Sequence, residues 1–218
     1  MAARASSPNT SAVEIVQVEG NQTHLGAFVS LAREYLSWLG EDLGFQAVDD
    51  ELDTLPGIYA AANRGSLLVA VCDGDYAGTA ALRPLRGKQA EGIEEIEGIS
   101  VDEIAELKRL YVSASHQRRG IGEALTMACI ESARKMEYKA VCCDTLERLT
   151  AANALYKRMG FKPTVAYSFC PLVRIELDRR APAPAPARLV TLTLTRASLA
   201  RVCQLVRQDG PLHFVFIF

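Results

Sequence analysis

A strand, a basic glycine loop and a helix follow one another between residues 106 and 136, and this order constrains the fold most strongly. "ELKRLYV" (106–112) reads as a strand, and a helix over 119–136 keeps its apolar residues on one face. Between them lies Gln117-Arg118-Arg119-Gly120-Ile121-Gly122. The first N–H groups of a helix have no intrahelical acceptor, and the helix dipole is positive there. Glycines let a ligand approach those groups without a Cβ in the way. Such a loop suits an anion, phosphate above all. On these six residues alone, an ordinary basic loop entering a helix reads about equally well.

Two other phosphate motifs fit less well. A Walker loop needs Gly-Lys-Ser/Thr, which does not follow. A dinucleotide fingerprint needs a third glycine where Leu125 stands. It also needs a continuously apolar strand running tightly into the loop, whereas Ser113 to His116 intervene.

The remaining elements alternate in the manner of an α/β chain. "VEIVQV" (13–18) reads as a first strand and 23–43 as a helix, followed by a short helix at 49–57 stopped by Pro56-Gly57. Residues 66–85 read as a hairpin turning at Asp73-Gly74-Asp75, and 86–106 as a polar acidic surface loop. After the loop and helix come a strand at 140–145, a helix "TAANALYKRM" ending at Gly160, and strands in "VAYSF" and "LVRIEL". "APAPAPA" (181–187) is then a stiff, extended linker. The residues beyond it are too few for a core of their own. "LVTLTL" could be a strand and "ASLARVCQLVRQ" a helix; the aromatic end could dock, bind a partner or stay outside the fold. The expected organisation is a tail at 1–12, one domain at 13–178, a linker at 179–188 and a tail at 189–218.

A net charge of −2 over 218 residues gives no global field toward nucleic acid or an anionic membrane, so an anion site must be local. No apolar run is long enough for a membrane span, and "MAARASSPNTSA" lacks a signal-peptide core. The six cysteines form no C-x-x-C pair and mostly sit in apolar runs. This suggests reduced thiols, a cytoplasmic setting and no structural zinc. His24, His116 and His213 form no metal pattern, so no metal is expected. Trp38 reads as core.

Three segments together, "ELKRLYV", "QRRGIG" and "ALYKRMGF", resemble the GNAT-type N-acetyltransferases in order and spacing. "FQAVDDELDTLPGIY" and "AALRPL" are similar to a small bacterial-type subgroup. The resemblance covers about residues 13–178. It implies the α/β GNAT acyl-CoA N-acyltransferase fold: a mixed twisted sheet with helices on both faces, in a single domain. It also implies acetyl-CoA as cosubstrate and direct transfer of acetyl to an amine of a small molecule or peptide. Residues 117–122 would hold the pyrophosphate. Leu110, Tyr111 and Val112 would lie along the pantetheine arm, with the Val112 amide polarising the thioester oxygen. Many members of the family pair, so a homodimer is compatible with the resemblance.

The resemblance further implies Glu106 as base, acting directly or through water; Asp102 and Glu103 are fallbacks, since a strand-register error would shift the face. The alternative for Glu106 is a solvent-facing carboxylate paired with Lys108 or Arg109. Tyr156 matches the family tyrosine near the thioester sulfur; a helix tyrosine packed on the sheet is its structural alternative. The family's asparagine seven residues earlier is Leu149 here, which leaves Asn153 as a lesser cofactor contact. Phe45 and Gln46 would shape the acceptor pocket. A catalytically silent acyl-CoA-binding module of the same fold is the competing reading, and an interaction protein acting through its apolar tail is a third.

Overall fold

Alternate residues of the apolar run at 66–72 face opposite helical layers. Leu67 and Val69 pack on one side, while Leu68, Ala70 and Cys72 pack on the other. A strand buried on both faces has no reason to alternate polar and apolar residues, which explains why this run is apolar throughout. The computed structural model describes residues 12–40, 48–86, 94–164 and 212–218.

The strands are β1 (Val13–Gln17), β2 (Ser66–Cys72), β3 (Asp75–Pro84), β4 (Glu95–Ile96), β5 (Ile99–Ser100), β6 (Ile104–Val112), β7 (Ala140–Thr145), β8 (Lys162–Pro163) and β9 (Leu212–Ile217). The helices are α1 (Gln22–Leu39), α2 (Val48–Asp53), α3 (Ile121–Lys135) and α4 (Thr150–Arg158). Seven strands form one mixed sheet in the order β1-β2-β3-β6-β7-β9-β8. β6 and β7 run parallel, and every other neighbouring pair is antiparallel. α1 and α2 cover one face around Phe28, Ala32 and Leu52. α3 and the Tyr156 face of α4 cover the other around Leu125, Cys129 and Ile130. The expected mixed α/β sheet with helices on both faces is therefore present.

Local chemistry explains the boundaries. α1 begins where the Asn21 side chain accepts from the Thr23 and His24 amides, and ends at left-handed Gly40. It is thus shorter than the reading to residue 43. The acidic stretch read as a loop contains the short β4–β5 hairpin, whose Ile96 is buried. Gly78 is required by a close approach: a Cβ there would stand 2.6 Å from the Tyr111 carbonyl oxygen.

The aromatic terminus is part of the sheet. β9 pairs with β7 from Ala140↔Ile217 to Thr145↔Leu212, beyond the expected domain end at 178. Phe214 and Val215 are buried in it. The strands expected in "VAYSF", "LVRIEL" and "LVTLTL", the helix in "ASLARVCQLVRQ" and the linker lie outside the described residues.

Phe214 is 1% exposed and packs against the Tyr156 ring. Phe214→Ala is therefore expected to lower the unfolding free energy by about 3–5 kcal/mol, read by urea denaturation. An unchanged midpoint would mean that β9 does not contribute to the folded sheet.

Candidate active site

β6 and β7 pair only at Ile104↔Ala140, Ala105↔Val141 and Glu106↔Cys142. Beyond those positions the strands part, and among the described residues the facing edge of β6 has no strand partner. On its other edge β6 stays paired to β3, with a register shift between Thr79 and Ala81. Arg109 at this shift takes a positive φ of 55°, so β6 bulges where it leaves β7.

The parting opens a cavity of about 610 Å³. That lies within the size range of small-molecule sites. Its walls are the free half of β6, the end of β7, the loop before α3, the start of α4 and the end of α1.

α3 begins at Gly120, which has φ 79° and no side-chain hydrogen bond capping the turn. The first in-helix acceptor bond runs from the Ala124 amide to the Gly120 carbonyl. The amides of Ile121, Gly122 and Glu123 are thus left without helix acceptors, beside Arg118. Gln117, Arg118, Gly120, Ile121 and Gly122 all line the cavity. Arg119 does not; its guanidinium reaches Asp73 at 2.9 Å, in the β2–β3 turn. Leu110, Tyr111 and Val112 line the cavity as expected from a free strand edge.

Tyr156 also lines the cavity, at the side of the gap. Its ring is held by Phe161 and Phe214. Burial pushes its hydroxyl pKa well above the usual phenol value, reinforced by Cys143, so it stays protonated. Asn153 is buried and does not reach the cavity. Its Nδ2 donates to the Leu146 and Glu147 carbonyls, which ties α4 to the end of β7.

Glu106 is fully buried and is not part of the cavity wall. Of the alternative read from the sequence, a solvent-facing carboxylate paired with Lys108 or Arg109, Glu106 keeps the Lys108 pairing but not the exposure. Its Oε2 accepts from Arg83 Nε and Nη2 at 2.8 and 2.7 Å. Its Oε1 lies 3.5 Å from Lys108 Nζ. Of the fallback residues, Asp102 and Glu103 sit in the turn before β6, and Glu103 pairs with Lys139.

Two carboxylate residues line the cavity: Glu123 at the start of α3, paired with Arg158, and Asp144 at the end of β7. Lys108 Nζ reaches it at 3.0 Å, across the gap. Burial pushes the Asp144 carboxyl up, but Lys108 more than offsets this and holds it below the usual carboxylate value. Burial likewise works against the Lys108 ammonium, while Asp144 and Glu106 raise it further. His213 on β9 stands in register opposite Asp144. Burial lowers its pKa, partly countered by Asp144, and leaves the imidazole neutral at pH 7.

The far wall holds three rings. Trp38 is 58% exposed, so it is a cavity-wall residue rather than core. It stacks on Tyr35, and both lie against Tyr111. The Tyr111 hydroxyl donates to Glu34 at 2.8 Å. Its pKa is pushed up to about 12, by burial first and then by Glu34. Phe45 and Gln46 lie outside the described residues. Sequence reading missed Tyr35, Asp144, Arg148 and His213. Asp144 carried the clearest signal, as a lone carboxylate closing an apolar strand.

Residues 28–161 match the family model described as the acetyltransferase (GNAT) family. An uncharacterized N-acetyltransferase of Schizosaccharomyces pombe is 33% identical over 161 residues, covering 71% of this chain and 90% of the relative. An uncharacterized N-acetyltransferase of Dictyostelium discoideum is 26% identical, covering 65% and 86%. Among solved structures, an acetyltransferase from Streptococcus agalactiae superposes with a TM-score of 0.57 at 18% identity, covering 94% of this chain and 98% of that one. One from Salmonella typhimurium, solved with its cofactor acetyl-CoA, gives 0.55 at 14% identity, covering 94% of both. The uncapped helix, the parted strands and the residues between them thus lie in a chain that belongs to the GNAT acetyltransferase family and is an N-acetyltransferase.

Proposed function

We propose that this enzyme uses acetyl-CoA and transfers the acetyl group directly to a primary amine. The observation that carries this reading is the uncapped start of α3 opening into the same cavity as the free edge of β6 and Tyr156. The orphan amides at 121–123 and the Arg118 charge suit a pyrophosphate. The free edge of β6 suits an amide-bearing arm, which can add to it much as another strand would. When bound, acetyl-CoA supplies the acetyl group: an N–C bond would form as the C–S bond breaks, the sulfur would leave as a thiolate, and the proton lost by the amine would pass to water, from which the thiolate is protonated. The Arg119 backbone lies in the same loop, although its side chain turns away to Asp73.

The chain's residues divide the remaining work. The Val112 amide donates to the thioester oxygen. The Tyr156 hydroxyl, which hydrogen-bonds the buried Cys143 thiol, would be the donor to the departing sulfur. Because burial raises its pKa, its part is to donate a hydrogen bond to the thiolate, not to hand over the proton completely. An alkyl ammonium enters charged at neutral pH. Asp144 is the carboxylate placed to attract it, and water carries the proton away. Glu106 acts behind this surface: it holds Lys108, and Lys108 holds Asp144. Glu106 is thus a positioning residue, and its influence on the proton passes through that chain.

Two further observations bear on setting and on the rival reading. The buried free thiols of Cys72, Cys129, Cys142 and Cys143 fit the reducing cytoplasm. Among the described residues no helix is long and apolar enough to cross a membrane. A silent acyl-CoA-binding module would have no use for a phenol and a carboxylate facing one gap.

Thiol release from acetyl-CoA with an amine panel tests the activity. Tyr156→Phe is expected to reduce kcat by about 100-fold, with the CoA dissociation constant little changed. Equal turnover by the variant would remove Tyr156 from the chemistry. Release of no thiol with any amine, together with tight CoA binding, would favour the silent module.

The two carboxylates separate in a second experiment. Asp144→Asn is expected to lower kcat/KM by about 10- to 100-fold in a protein that still folds. Glu106→Gln takes from Arg83 the nearer of its two buried carboxylates, leaving Glu51 at 3.7 Å, and is expected to cost about 3 kcal/mol of stability, measured by urea denaturation. A Glu106→Gln variant of full stability and no turnover would return the base role to Glu106.

A further inference from the structure

Arg109 has a donor that the folded chain leaves unused. Its side chain is 4% exposed, and its Nε donates to Glu51 Oε1 at 2.8 Å. Its Nη2 is buried and has no hydrogen-bond partner among the described residues. A buried, charged donor without an acceptor is costly, and such groups in native proteins call for an explanation. Here the residue lines the cavity, so the missing acceptor can come from a ligand.

The surroundings narrow the ligand. The other cations of the wall are engaged or lie elsewhere. Lys108 is paired with Asp144 and Arg158 with Glu123, Arg148 donates to the Leu39 carbonyl, and Arg118 sits in the loop before α3. Tyr35 of α1, Lys108, Arg109, Asp144 and Arg148 all line this one cavity, and Tyr35 feels the four charges together. One carboxylate and one guanidinium donor therefore stand close to the same tyrosine. That pairing suits a molecule carrying both an ammonium and a carboxylate. The rings of Tyr35, Trp38 and Tyr111, with centroids 5.5–6.4 Å apart, offer an apolar surface next to it.

We infer that the acceptor is a primary amine that also bears a carboxylate, bound through Arg109 Nη2, with an apolar side group against Tyr35, Trp38 and Tyr111. This deepens the acetyl-transfer reading and rests on it. Amino acids with large apolar side chains are the simplest members of the class.

The test compares matched amines with the wild-type enzyme by acetyl-CoA thiol release: L-phenylalanine against phenethylamine, and L-leucine against 3-methylbutylamine. Each pair differs only in the carboxylate. The acid of each pair is expected to show a kcat/KM roughly tenfold or more above its partner, the scale of one charge-assisted hydrogen bond, with the difference in KM. In Arg109→Gln, whose amide can still reach Glu51, this preference is expected to fall to within about twofold of unity. The wild-type comparison stands even if that variant does not fold. Equal turnover of both members of each pair overturns the carboxylate inference and leaves acetyl transfer intact. A preference that persists in folded Arg109→Gln also overturns it. Thiol release with none of the amines removes both the inference and the reading beneath it.

Discussion

The site exists because two parallel strands stop pairing. β6 and β7 share three register positions and then part, so among the described residues one edge of β6 is left without a strand to pair its backbone groups. Such groups need partners. Two features keep the opening from collapsing. The bulge at Arg109 bends β6 away, and β9 holds the other edge of β7 along its whole length. The gap is thus stabilised from its flanks, while its floor stays available to a ligand that can act as a temporary strand.

Charge fills the space that backbone pairing leaves. Lys108 and Asp144 occupy the positions two residues beyond the last paired residues, Glu106 and Cys142, and an ion pair spans the gap there. Behind it Glu106 is clamped by Arg83, and Arg83 and Arg109 both reach Glu51 on α2. Three carboxylates and three cations balance one another between α2, β3, β6 and β7. A buried ion pair adds little net stability over an apolar pair of the same shape, but breaking one half is costly. Such a cluster is better suited to fixing geometry than to holding the fold together. It sets where Lys108 and Asp144 stand, and through them the electrostatics of the cavity floor.

Much of this was legible in the sequence, for reasons that differ by residue. The loop at 117–122 stood out because glycines and arginines precede an amphipathic helix, although an ordinary basic loop fits those six residues about equally well, and β1, β2 and β7 followed from apolar runs of strand length. Glu106 was visible as a carboxylate on the right strand. Its burial was not, because the guanidinium that neutralises it comes from Arg83, 23 residues away on the neighbouring strand. Arg119 and Arg118 look alike in one dimension, yet the left-handed turn at Arg118 and Gly120 sends the Arg119 side chain back to Asp73. Trp38 reads as core from composition, but it lies near the end of α1, where the helix has passed the sheet and a ring can stay open to a cavity.

The terminal strand shows most clearly what a linear reading misses. A Pro-Ala stretch followed by a short apolar end suggests an appendage, yet Leu212–Ile217 lies between β7 and β8 in the main sheet. From there it reaches the chemistry twice. Phe214 packs against the ring of Tyr156, and His213 stands opposite Asp144. Removing β9 would therefore do more than expose apolar surface: the phenol would lose a wall, and the carboxylate would lose the neutral imidazole beside it. The sheet beyond β7 and the two groups proposed to serve acetyl transfer, Tyr156 and Asp144, depend on the same six residues, so stability and turnover should be coupled through β9 even though none of those residues lines the cavity.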